Sequence, residues 1–135
     1  MGFFGRLFGI CRTPRLDDPA TWRLSSGTLE IDVEKVGALQ AVGSAVRLEA
    51  EGLPARVLVV HGVDGNWYAY ENRCTHMGRR IDPLEGEPQL QCCSVGKSAW
   101  DYEGQLVGGS AKLDLRRFPA ARENGTLRID LSPPS

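Results

Sequence analysis

Apolar and polar positions alternate in several short stretches of this chain. Leu29, Ile31 and Val33 interleave with Thr28, Glu30 and Asp32, and Val46, Leu48 and Ala50 interleave with Arg47 and Glu49. A period of two is the mark of a strand with one face buried. Arg56 to His61 instead holds an unbroken run, Val57-Leu58-Val59-Val60, the pattern of a central strand covered on both sides. Val63-Asp64-Gly65 then supplies a turn, and Asn66-Trp67-Tyr68-Ala69-Tyr70-Glu71 returns as an aromatic strand. Near the end, Leu113, Leu115 and Phe118 lead to the tight turn Asn124-Gly125, after which Leu127, Ile129 and Leu131 alternate with Arg128 and Asp130. Glu34 to Gln40 has room for one or two helical turns, and no amphipathic helix of about ten residues is present anywhere. The pattern predicts an all-β chain, a small antiparallel barrel or sandwich. Between Asn72 and Ser110 alternation gives way to Cys, Gly, Pro and charge, so this segment reads as long loops carrying the chemistry.

Length and charge narrow the picture. The 135 residues suit one domain over 21–132, with an N-terminal tail over 1–20 and a polar tail over 133–135. A formal net charge of −1 gives no electrostatic footprint for nucleic acid. No run of about 18 apolar residues is present to span a membrane. The apolar stretch over residues 3–11 reads as a surface-docked tail. Its sharper reading is an interfacial contact, with Phe4, Leu7, Phe8 and Cys11 on one helical face, although three nearby glycines make a poor helix. The cysteines stand at 11, 74, 92 and 93, too few and too clustered for a secreted disulfide framework. Cys74, Cys92 and Cys93 lie within twenty residues of one another beside a histidine, which points to metal chemistry in a reducing compartment, and so to a cytoplasmic protein.

Two segments hold the candidate ligands. Cys74-Thr75-His76-Met77-Gly78 follows the aromatic strand, and Cys92-Cys93-Ser94-Val95-Gly96-Lys97-Ser98-Ala99-Trp100-Asp101 follows later. Thiolates with an imidazole, presented from two loops, suit an iron–sulfur cluster or zinc. Gly96-Lys97-Ser98 is no phosphate-binding loop, because its first glycine would fall on Gln91 and no helix pattern follows. His61, at a strand end, reads as a hydrogen-bonded structural residue. Trp67, Tyr68, Tyr70 and Trp100 read as packing residues, and Arg79-Arg80 as a solvated face or a dock for an acidic partner.

The order of strand, turn, strand, Cys74-Thr75-His76, and a second cysteine segment ending in Trp100-Asp101 resembles the Rieske [2Fe–2S] domain family. Sixteen residues separate His76 from Cys93, against about 15 to 17 in that family's pattern of Cys-x-His followed by Cys-x-x-His. Glu103-Gly104, Gly108-Gly109 and the closing strands extend the likeness over roughly Trp22 to Leu131. The resemblance implies a Rieske-like fold with two cluster-binding loops, a [2Fe–2S] cluster and one-electron transfer with a redox partner protein, as a ferredoxin-like carrier or as the electron-transfer component of a larger redox enzyme. One ligand departs from the pattern. With Cys93 in the family position the second histidine is replaced by Gly96, and with Cys92 there it is replaced by Val95. The paired cysteines that clamp the loops in respiratory Rieske proteins are also replaced, by Arg79 and Val95, which turns the likeness toward the ferredoxin-like branch.

An extra thiol beside the lost imidazole predicts three-Cys, one-His ligation by Cys74, His76, Cys92 and Cys93, with a potential lowered by the added negative charge. Its geometric difficulty is that neighbouring residues on extended backbone face opposite ways. The alternatives are a cluster-free Rieske-like docking subunit, a zinc site, and thiol chemistry with Cys92 and Cys93 as a vicinal pair.

Overall fold

The structure, a computed structural model, describes residues 11–75, 78–93, 98–109 and 111–132. Twelve strands are present among these residues, arranged in three antiparallel sheets of four. The first sheet joins β1 (Trp22–Ser25), β2 (Thr28–Asp32), β12 (Thr126–Asp130) and β11 (Ala120–Glu123) in that order. The second joins β10 (Arg117–Phe118), β5 (Trp67–Glu71), β4 (Val57–His61) and β3 (Ala45–Leu48). The third joins β6 (Ile81–Pro83), β7 (Gln89–Cys92), β8 (Ala99–Asp101) and β9 (Leu106–Gly108). Among the described residues helix is confined to three single 3-10 turns, two of which, Val33–Lys35 and Gly37–Leu39, occupy the stretch expected to turn helically.

The third sheet was not legible in the sequence. Its strands are three or four residues long, too short for alternation to register. The chemistry-bearing segment is therefore a small sheet with loops at its ends, not one long irregular connection.

Strand β4 shows why its sequence is continuous. Val57, Leu58, Val59 and Val60 are all fully buried. Val57 and Val59 join Leu29, Ile31, Leu127 and Ile129 in one apolar cluster, while Leu58 and Val60 join Tyr70, Ile81, Leu90 and Trp100 in a second. The middle sheet thus has a core on each face. Trp100 and Tyr70 are buried as expected of packing residues. His61 Nδ1 lies 2.8 Å from the Leu39 carbonyl and its ring stacks on Trp67, the structural role expected of it.

Turn chemistry matches the hairpins. Asn124, at φ 56°, sits in the two-residue connection between Glu123 and Thr126. Gly104, at φ +88°, lies so close to the Leu115 carbonyl oxygen that a Cβ would come within 2.6 Å of it. Only glycine allows both the left-handed backbone and that approach.

Candidate metal centre and a disulfide

Backbone hydrogen bonds close both loops at the end of the third sheet. In the first, the Cys74 N–H donates to the Arg79 carbonyl at 2.6 Å and the Gly78 N–H to the Cys74 carbonyl at 2.8 Å. Gly78 is at φ +74°, and its carbonyl accepts from the Arg56 guanidinium at 2.6 Å. In the second, the Cys92 N–H donates to the Ser98 carbonyl at 2.7 Å. Residues 111–115 buttress both. The Leu113 carbonyl accepts from the Thr75 hydroxyl at 2.8 Å and from the Trp100 indole at 3.0 Å, and the Ser98 hydroxyl accepts from the Ala111 N–H at 2.8 Å. Beneath the first loop, the Asn72 side-chain oxygen accepts from the Ile81 N–H at 2.8 Å, while its Nδ2 is buried with no acceptor among the described residues.

The ladder between β6 and β7 decides where the adjacent cysteines point. Cys92 stands opposite Ile81, and Pro83 opposite Leu90. Cys92 therefore shares a face with Ile81 and joins Cys74 in the apolar cluster with Leu90 and Trp100. Cys93 comes next, its N–H bonded to the Arg80 carbonyl at 3.0 Å, and its side chain takes the other face. There it forms a disulfide with Cys11, at a Cα–Cα distance of 5.3 Å. Cys74 and Cys92, both buried, remain outside the disulfide.

The N-terminal segment reaches Cys93 because two elements hold it. Asp82, buried on that same face of β6, accepts from the Arg12 N–H at 2.7 Å, the Thr13 N–H at 3.1 Å and the Thr13 hydroxyl at 2.6 Å. The next residues pair with β3: the Arg47 N–H donates to the Pro14 carbonyl at 2.9 Å and the Leu16 N–H to the Arg47 carbonyl at 2.8 Å. Glu49 ties this edge to the first loop. It accepts from Arg80 Nε at 2.5 Å and Nη2 at 2.8 Å, and pairs with Arg47 at 2.8 Å. The Arg80 hydrogen bond foremost, with Arg47 beside it, holds the Glu49 carboxyl down at about 2 against the opposing effect of burial.

Of the four predicted ligands, Cys74 and Cys92 share one buried face, Cys93 lies on the other, and His76 is outside the described residues. The residues at the second-histidine position, Val95 or Gly96, lie outside them too, as does the apolar stretch up to residue 10. Two features were missed in the sequence: the pairing of Cys11 with Cys93, and the role of Asp82. From the sequence, Cys11 belongs to the apolar tail and Cys93 to metal chemistry, whereas the structure pairs the two. The correction is that the segment from Cys11 to Leu16 packs as an added edge, joining residues 82 apart. No local signal reports a contact of that range.

The family model for the Rieske [2Fe-2S] domain matches residues 30–119, two thirds of the chain. The chain belongs to the Rieske domain family. Solved structures give the same fold. A chain in the complex of reduced oxygenase and oxidized ferredoxin in carbazole 1,9a-dioxygenase matches with a TM-score of 0.62 at 20% identity, covering 78% of this chain and 94% of that one. The ferredoxin of carbazole 1,9a-dioxygenase from Nocardioides aromaticivorans IC177 gives 0.61 at 19% identity, covering 76% and 98%. The cyanobacterial plasma membrane Rieske protein PetC3 from Synechocystis PCC 6803 gives 0.53 at 19% identity, covering 63% and 84%. The comparison with curated proteins gives no match. Among the described residues, no helix is long and apolar enough to cross a membrane.

A Rieske domain holds its cluster with two cysteines on one iron and two histidines on the other. This one has no histidine in its second loop, and Cys93 is bonded to Cys11. In the disulfide-bonded form its donor set does not fit a four-ligand cluster. Nor do the disulfide sulfurs and Asp82, all within 4.8 Å of one another, make a substitute centre. The sulfurs are spent on each other, and the carboxylate is engaged by Arg12 and Thr13.

Proposed function

We propose that this Rieske domain is a one-electron carrier of the ferredoxin-like kind, working with a separate redox partner protein, in the form whose cysteines are all thiols. Its ligands are then Cys74 and His76 from the first loop and Cys92 and Cys93 from the second, a thiolate replacing the missing imidazole, and this set requires the chain beyond Cys92 to turn Cys93 from the Asp82 face to the Cys74 face. The observation that carries this reading is the placement of Cys74 and Cys92, two buried thiols behind the paired loops of a fold whose family binds [2Fe–2S]. The ferredoxin-like solved structures, one of them from an oxygenase–ferredoxin complex, favour a diffusing carrier with a protein partner. The protein supplies closed loops, an apolar wall containing Trp100, and the buried Asn72 amide. Placement in the cytoplasm belongs to the same reading, because the thiol form needs a reducing compartment.

The test is anaerobic one-electron reduction of dithiol-treated protein, followed by electron paramagnetic resonance. A signal lost in both Cys92→Ser and Cys93→Ser is expected, at a potential below the usual Rieske range because of the added thiolate. A diamagnetic, folded protein in the thiol form would overturn it. The second reading, a cluster-free docking subunit, is favoured by one observation, the bond that takes Cys93 out of the donor set.

A further inference from the structure

We infer that Cys11 and Cys93 form a redox site of their own, a reversible thiol–disulfide couple that takes a dithiol as its electron donor and determines whether Cys93 can act as a ligand. That the site takes a dithiol stands on the observations below. The consequence for ligation rests on the proposed electron-carrier function.

The two sulfurs are held together by more than their bond. Arg12 and Thr13 are fixed to Asp82, and Pro14 and Leu16 are fixed to Arg47, by contacts that involve neither sulfur. Opening the bond leaves Cys11 tethered beside Cys93, so reclosure is an intramolecular event at high effective concentration. A bond that can open without releasing the segment behaves as a couple. The exposure of the sulfur-bearing residues is asymmetric: Cys93 is almost fully buried, whereas Cys11 is partly exposed. An attacking thiolate therefore reaches the Cys11 sulfur, and Cys93 is the leaving group.

The step balances as ordinary thiol–disulfide exchange. A thiolate of the donor forms a bond to Cys11 Sγ, the Cys11–Cys93 bond breaks, and Cys93 leaves as a thiolate that takes up a proton. The donor's second thiol then attacks the mixed disulfide, and Cys11 is released and protonated. Two electrons pass from the dithiol, which ends as a disulfide. What is set free is the buried Cys93 thiol at the end of β7, which becomes a ligand once the chain beyond Cys92 turns it toward the Cys74 face.

The experiment counts thiols and iron separately on the full chain. Air-exposed protein, denatured in alkylating reagent without reductant, should carry two alkyl groups, on Cys74 and Cys92. Native protein first treated with dithiothreitol should carry four, and re-oxidation should restore two, with a peptide linking Cys11 to Cys93. Cys11→Ser should carry three without any reductant. Four groups on untreated protein would refute the bond. Two groups after native dithiothreitol, rising to four only after unfolding in reductant, would make the bond a fixed staple and overturn the couple. Iron is read in the same samples. Cys11→Ser should retain iron without reductant, and the parent protein should retain it only after dithiothreitol. Thiol counts as expected, with no iron in any state, would leave the couple standing and remove the electron-carrier reading. Iron retained by untreated parent protein that still carries two alkyl groups would refute control of ligation by the bond.

Discussion

Removing the Asp82 carboxylate is the sharpest perturbation of the arrangement that brings Cys11 to Cys93. Asp82 is 2% exposed and accepts hydrogen bonds from the Arg12 N–H, the Thr13 N–H and the Thr13 hydroxyl. In Asp82→Ala the two Thr13 donors, themselves nearly out of solvent, lose their acceptor, at about 1–3 kcal/mol each for a stranded buried group. The Arg12 amide lies nearer water and recovers a partner at little cost. With the small void left behind, the expected loss is about 3–5 kcal/mol, a large part of a small domain's stability. Asp82→Asn keeps an oxygen acceptor for the two Thr13 donors and loses the charge and the acceptor for the Arg12 N–H, which recovers a partner from water, so it should cost about 1–2 kcal/mol. Urea unfolding in dithiothreitol isolates this effect, because the disulfide then makes no contribution. A second readout is disulfide formation in a fixed thiol–disulfide buffer. If Asp82 sets the proximity of the sulfurs, Asp82→Ala should weaken bond formation at least about tenfold, the equivalent of about 1.4 kcal/mol. An alanine variant within about 1 kcal/mol of the parent, forming the bond equally well, would refute this account of the segment.

Further predictions follow from the same structure. Glu49 has its carboxyl lowered to about 2 from an ordinary 4.5, so its contribution is fully present above about pH 4.5 and is lost as pH falls toward 2. Solvent screening at the sheet edge reduces that contribution to about 1–2 kcal/mol. Unfolding of parent and Glu49→Gln compared from pH 2 to 6 should show a gap that closes on acidification; a gap independent of pH would contradict the role given to Arg80 and Arg47. Gly104→Ala should cost more than about 2 kcal/mol, since it combines strained backbone with a clash at the Leu115 carbonyl. Gly52→Ala, also at positive φ but in open space, should cost about 1 kcal/mol. Equal midpoints for the two variants would refute the steric argument.

Much of the fold was legible because long strands with one wet face write their period into the chain. Leu29, Ile31, Leu127 and Ile129 alternate and are all buried, and Val57 to Val60 run unbroken because both faces of β4 are covered. The third sheet was hidden because strands such as Ile81–Pro83 are too short to carry a period. At the site, the Cys74-Thr75-His76 segment, the spacing to Cys93 and the absent second histidine could all be read directly. So could the opposite facing of Cys92 and Cys93, which follows from strand geometry. The partnership of Cys93 could not. It depends on how residues 11–16 lie against β3 and β6, set by a buried carboxylate and backbone pairing with residues far along the chain.

Iron and acid-labile sulfide per chain, measured on protein purified anaerobically and treated with dithiothreitol, test the central claim most directly. The account predicts two of each, as a [2Fe–2S] centre requires, and their loss in both Cys92→Ser and Cys93→Ser. A folded chain with all four cysteines as thiols and neither iron nor sulfide would contradict it, leaving a Rieske fold whose redox chemistry is confined to Cys11 and Cys93.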